Sequence, residues 1–99
     1  MKIMSIDSST TSSGYSIFIN GEYIRSDCIN LKKAKGDKLP QMVIELFNII
    51  DSERPDTVVV EEMSVVRNAQ TARKLTMILG AIYGKCLDEK IEWYSLRPT

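Results

Sequence analysis

Thr57-Val58-Val59-Val60-Glu61-Glu62 is the stretch that decides the fold. Successive β-branched residues favour an extended backbone, and an unbroken apolar run suits a strand covered on both faces. Such a strand is central and runs parallel to a neighbour. Its partner is Lys2 to Asp7, where Ile3-Met4-Ser5-Ile6 makes a short strand that also closes on a carboxylate.

Working outward, Gly14 opens a second strand, Tyr15 to Ile19, after a turn rich in hydroxyls. Asn20-Gly21 is a two-residue hairpin signal, because both central positions of that turn need positive φ. The third strand runs from about Glu22 to Leu31. Lys32 to Asp37 is a polar loop with Asp37 as N-cap. Beyond it Leu39, Met42, Val43, Leu46, Ile49 and Ile50 recur at helical spacing, until Arg54-Pro55-Asp56 ends the helix. A second helix spans Asn68 to about Glu89. Its apolar stripe is Ala72, Leu75, Leu79, Ile82 and Cys86, with Met77, Ile78 and Tyr83 off it. Gly80 and Gly84 leave a shallow groove for another backbone, either a second copy or a further helix of the same chain. Ile91-Glu92-Trp93-Tyr94 is the last strand. The order βββαβαβ with right-handed crossovers predicts one α/β domain over 1–99. Its mixed five-stranded sheet has order 3-2-1-4-5, with the first and fourth strands adjacent.

Composition narrows the chemistry. With no histidine in 99 residues, imidazole bases, Ser-His-Asp triads and histidine metal sites are excluded. Cys28 and Cys86 are too few and too far apart for zinc and read as reduced, buried thiols. Without a secretory leader or an apolar run of about 18 residues, the expectation is a cytoplasmic protein with no membrane partner. The net charge is zero, yet Ser64 to Leu87 carries Arg67, Arg73, Lys74 and Lys85 and no acid; such local charge can make a phosphate-facing surface, although a basic helix face is more often simply solvated.

Asp7 and Glu61-Glu62 fall at the carboxyl ends of two adjacent parallel strands, where open α/β sheets bind ligands. At the ordinary strand spacing of about 5 Å, two such anions call for a cation between them, and Mg²⁺ or Mn²⁺ suits oxygen donors. Taken singly, Asp7 before Ser8 and Ser9 fits an Asx-turn, and the glutamates fit a solvated strand end. Alternation puts Glu61 and Glu62 on opposite faces and does not choose between them. The hydroxyls of Ser8 to Ser13 can hold phosphate oxygens, although without glycines the loop is no backbone nest.

Ile6-Asp7-Ser8-Ser9-Thr10-Thr11-Ser12-Ser13-Gly14-Tyr15 resembles the opening of RuvC-type Holliday junction resolvases, and so does the block from Val58-Val59-Val60-Glu61-Glu62 through Arg67-Asn68-Ala69 to Lys74-Leu75. The resemblance covers essentially the whole chain. It implies an RNase H-like three-layer fold and a homodimeric endonuclease that nicks four-way DNA junctions with Mg²⁺ or Mn²⁺. Asp7 and Glu61, rather than Glu62, are then the catalytic metal ligands, and Arg67, Arg73 and Lys74 contact the DNA backbone. Ser8-Ser9 stands where the family usually has Pro-Gly, and Ser64 where some members have an aromatic residue. The final helix with its further acidic residues is missing. The 99 residues thus read as the N-terminal portion of a divergent or phage-type member that cleaves poorly alone. Rival readings are an actin-like ATPase or sugar-kinase-type domain holding ATP phosphates in the Ser/Thr loop, and a non-catalytic DNA-binding or dimerisation module. Within the nucleases, a YqgF-like relative acting on RNA is a further alternative.

Overall fold

The computed structural model describes residues 1–62 and 68–97. Its elements are β1 (Lys2–Asp7), β2 (Ser12–Ile19), β3 (Glu22–Asn30), α1 (Lys38–Glu53), β4 (Thr57–Glu61), α2 (Ala69–Asp88) and β5 (Glu92–Leu96). They form one five-stranded sheet in the order β3-β2-β1-β4-β5, as expected. β1 pairs antiparallel with β2 and parallel with β4.

Local chemistry sets the boundaries. Asn20 (φ 51°) and Gly21 (φ 82°) turn the hairpin in the left-handed region. Asp37 stays extended and accepts a hydrogen bond from the Leu39 amide at 3.1 Å, which caps α1. Pro40 lies in the first helical turn, where a missing N–H forfeits no helical bond. Arg54 adopts φ 48°, its amide donates to the Ile50 carbonyl at 2.9 Å, and Pro55 follows to stop the helix. Asn68 caps α2 by accepting from the Gln70 amide at 2.8 Å.

Both helices cover the same face of the sheet. Met4, Ile6, Ile17, Val58 and Val60 meet Met42, Leu46 and Ile50 of α1 and Ile78, Ile82 and Cys86 of α2 in one core. Val59 faces the other way and is only half-buried, so β4 is fully covered on one face rather than two. The stripe on α2 also differs from expectation. Its buried line is Leu75, Ile78, Ile82 and Cys86, with Ile78 fully buried and Leu79 at the margin. Periods of three and four fit both lines equally, and the packing of α1 against α2 selects the one that contains Ile78. Met77 and Tyr83 lie off the buried line, as expected, and are exposed.

The cysteines divide. Burial pushes the Cys86 thiol up to about 11, which keeps it protonated and inert. Cys28 is exposed, contrary to expectation, because it alternates with the inward Ile29 on an edge strand whose outer face carries no helix among the described residues.

The end of the sheet opposite the carboxylates is stapled by charge. Glu53, in the last turn of α1, holds Lys2 Nζ of β1 at 2.9 Å and the guanidinium of Arg25 on β3. A carboxylate at a helix C-terminus opposes the macrodipole, and two cations more than offset that. The Arg25 hydrogen bond first, then Lys2, holds the Glu53 carboxyl below its usual range, against the opposing effect of its burial.

Two measurements check this packing. Ile78→Ala will cost about 2–5 kcal/mol in denaturant unfolding, while Met77→Ala will stay within about 0.5 kcal/mol. Because the Glu53 pKa is depressed in the fold, its contribution exists above the ordinary carboxylate range and disappears as pH falls through the folded value. Glu53→Gln will therefore melt below the parent at neutral pH, and the gap will close on acidification.

Candidate metal centre

β1 and β4 run side by side in the register Ile3↔Thr57, Met4↔Val58, Ser5↔Val59, Ile6↔Val60 and Asp7↔Glu61. Strand side chains alternate, so the register that turns Ile6 and Val60 into the core turns Asp7 and Glu61 out together on the opposite face. Both carboxylates are exposed, and both line a cavity of about 320 Å³ with Ser5, Gly14, Tyr15, Ser16, Ser26 and Asp27.

Glu62 takes the other side. Its carboxylate accepts from Arg97 Nε at 2.9 Å, and that guanidinium holds its pKa below the ordinary value. The tertiary register thus makes the choice that strand alternation left open, and it pairs Glu61 with Asp7. By alternation, Asp27 does not join Asp7 and Glu61 on their face. It is the register partner of Tyr15 and lies two residues from Arg25, which reaches Glu53 on the helix-bearing face.

Among the described residues, no group of three or more His, Cys, Asp or Glu side chains is placed to hold a metal ion. The donor set is two neighbouring carboxylates. That fits Mg²⁺ or Mn²⁺, which commonly bind through one or two carboxylates, keep several waters and take substrate phosphate oxygens as further ligands. It does not fit a softer metal, which would want thiolate or imidazole.

The Ser/Thr loop divides its hydroxyls. Ser13 is buried and closes its own turn, accepting from the Ser9 amide and donating to the Ser9 carbonyl, both at 3.0 Å. Ser12 lies 3.2 Å from Cys28 Sγ. Thr10 and Thr11 instead line a second cavity of about 280 Å³ with Gly36, Asp37, Lys38, Leu39 and Lys74. Lys74 of α2 is thereby brought to the loop that follows Asp7. Arg73 is exposed on α2 and lines neither cavity, and Arg67 lies outside the described residues, as does Ser64. Lys38 was not singled out from sequence. It sits in the first turn of a helix remote in sequence from Lys74, and no local pattern joins the two.

Residues 3–99 match the family model described as Crossover junction endodeoxyribonuclease RuvC. A curated protein of that name from Chlorobium phaeobacteroides is 31% identical over 87 residues, which is 88% of this chain and 44% of the relative. The chain therefore spans less than half of that relative's length. The fold is shared with Thermus thermophilus RuvC, solved in complex with a Holliday junction substrate. The TM-score is 0.79 at 19% identity, over 99% of this chain and 64% of that one. It is shared as well with the yeast mitochondrial Holliday junction resolvase Ydc2, at TM-score 0.71 and 18% identity over 97% of this chain and 50% of that one.

If the in-register pair is the metal site, Asp7→Asn and Glu61→Gln will each weaken Mn²⁺ binding at least about tenfold, while Glu62→Gln will change it less than about twofold. Paramagnetic broadening of backbone amides reads this directly. Equal losses at Glu61 and Glu62 would contradict the assignment.

Proposed function

This chain belongs to the RuvC family of crossover junction endodeoxyribonucleases, and on that premise we propose that it carries the carboxylate core of a metal-dependent endonuclease acting on four-way DNA junctions. The observation that carries the reading is the Asp7–Glu61 pair, set in register on adjacent parallel strands and facing one cavity. The family's nucleases depend on a divalent metal. The choice of Mg²⁺ or Mn²⁺ here rests on the all-oxygen donor set.

Asp7 and Glu61 are the proposed metal ligands, with the remaining positions falling to water and substrate phosphate. When bound, a divalent cation supplies Lewis-acid stabilisation of the phosphodiester and a more acidic water. The chain's own residues do the rest. The two carboxylates fix where that chemistry happens, and the packed strands beneath them keep their spacing. Lys74, lining one cavity with Thr10 and Thr11 of the loop that follows Asp7, is suited to hold a backbone phosphate, as a point charge flanked by hydroxyl donors. Arg73 and Arg67 are assigned to the same DNA backbone on the strength of the basic segment alone.

A homodimer completes the reading, because a junction presents two equivalent strands. The support is on α2, where Met77, Gly80, Tyr83, Gly84 and Leu87 are exposed and a Cβ added at either glycine would meet nothing within 4 Å. Among the described residues no helix is long and apolar enough to cross a membrane, and the cytoplasm is the compartment proposed for this DNA-acting chain.

The test is binding and nicking of a four-way junction with Mn²⁺. The chain will bind the junction at least about tenfold more tightly than a linear duplex of the same sequence. Any Mn²⁺-dependent nicking will vanish in Asp7→Asn while binding survives. Tight ATP binding with no preference for the junction would replace this reading with the ATP-binding one.

A further inference from the structure

Gly14 lies inside β2, where glycine is ordinarily a cost: it packs nothing and loses the most backbone freedom on folding. Among the described residues nothing in the packing asks for it. Its φ lies outside the left-handed region, and a Cβ built there would have ordinary room, its nearest contact being the Asp27 carbonyl oxygen at 3.9 Å. A strand glycine that neither the turn nor the packing requires marks a place where something else comes close.

Its neighbours say what. Across the sheet, the register row through Gly14 reads Cys28, Gly14, Asp7, Glu61, Leu96, all on the helix-free face. The adjoining row on that face reads Ser26, Ser16, Ser5, Val59, Tyr94. On the β2 side of the carboxylates the lining is therefore small: Gly14, Ser5, Ser16 and Ser26 all border the cavity that Asp7 and Glu61 line. Ser16 and Ser26 hold each other at 2.7 Å, and Tyr23 donates to Ser26 at 2.9 Å, so this floor is tied down. On the β5 side stand Tyr94 and Leu96, each more than half exposed.

We infer that Gly14 is the clearance through which a DNA strand reaches the carboxylate pair, its sugar-phosphate backbone lying over β2 towards Ser26 rather than over β5. Gly14 is a positioning residue and touches no reacting atom. Cross-strand partners carry their Cβ atoms about 5 Å apart, so any side chain at this position would stand beside the Asp7 carboxylate and occupy the approach. The inference rests on the nuclease reading above.

The experiment uses the 99-residue chain with Gly14→Ala and Gly14→Val. It combines thermal melting, Mn²⁺ broadening at Asp7 and Glu61, and amide shifts on titrating a short single-stranded DNA in Ca²⁺. The parent will shift at Ser5, Gly14, Ser16 and Ser26. Both variants will melt no lower than the parent and keep the Mn²⁺ broadening. DNA affinity will fall from parent to Ala to Val, by at least about tenfold at Val. A lower melting temperature in Gly14→Ala would make the glycine structural and overturn the inference. Unchanged DNA affinity in Gly14→Val with Mn²⁺ broadening intact would overturn it alone, as would DNA shifts that are absent from those four residues or centred on Tyr94 and Leu96. Absence of localised Mn²⁺ broadening in the parent would bring down the nuclease reading and this inference with it.

Discussion

The pairing of β1 with β4, with Asp7 opposite Glu61, is the constraint on which everything else depends. Side chains on a strand alternate with period two, so the same register decides what is buried and what is presented. It sends Met4, Ile6, Val58 and Val60 fully into the core and leaves two carboxylates adjacent outside it. Each of those four buried side chains is worth about 1.5–3 kcal/mol, whereas two exposed charges at strand spacing repel by about 1 kcal/mol in water. Packing wins by a wide margin, and the core thereby holds together two anions that would otherwise separate.

The two ends of the sheet accordingly do different work. At one end Lys2, Arg25 and Glu53 join β1, β3 and α1, and Asp56 binds back to Lys2 through both backbone and side chain, at 2.9 and 2.7 Å. Charges there are paired and spent on stability. At the other end, among the described residues, Asp7 and Glu61 form no ion pair, while the nearby Glu62 is neutralised by Arg97. Unpaired carboxylates are an expense in a free-standing fold and an asset where a cation has to be captured. Concentrating them at the open ends of the parallel strands lets the remainder of the sheet bear the cost.

The sheet is also asymmetric between its faces. Helices α1 and α2 fill one side, and the other presents Ile3, Val59, Tyr94 and Leu96 around a patch of serines and Gly14. The carboxylates point out of this second face, opposite α1 and α2. Lys74 of α2 and Thr10 of the loop after β1 line a separate cavity with the start of α1, so positive charge and hydroxyls meet there rather than among the carboxylates.

Most of the architecture was legible in the residues, because each element carried a local signal strong enough to stand alone. Asn20-Gly21 demanded positive φ, Asp37 and Asn68 offered caps, and the valine run demanded a central strand. Those signals, with the handedness of crossovers, determined the strand order 3-2-1-4-5 and brought Asp7 beside the glutamate pair. What they could not determine were matters of phase. Ile78 rather than Leu79 lies at the centre of the α2 core, because the packing of α1, and not helical period, sets which line faces inward. Cys28 is exposed because an edge strand on a one-sided sheet leaves its outer residues open. Glu61 rather than Glu62 stands with Asp7 because only the β1–β4 register relates one strand's faces to another's, and Lys74 meets Thr10 and Lys38 only because the fold closes segments far apart in the chain. Sequence alone thus determined which elements exist and which residue types stand at the carboxyl ends of the parallel strands. The tertiary structure decided which side each one faces, since facing is a relation between elements that no single element encodes.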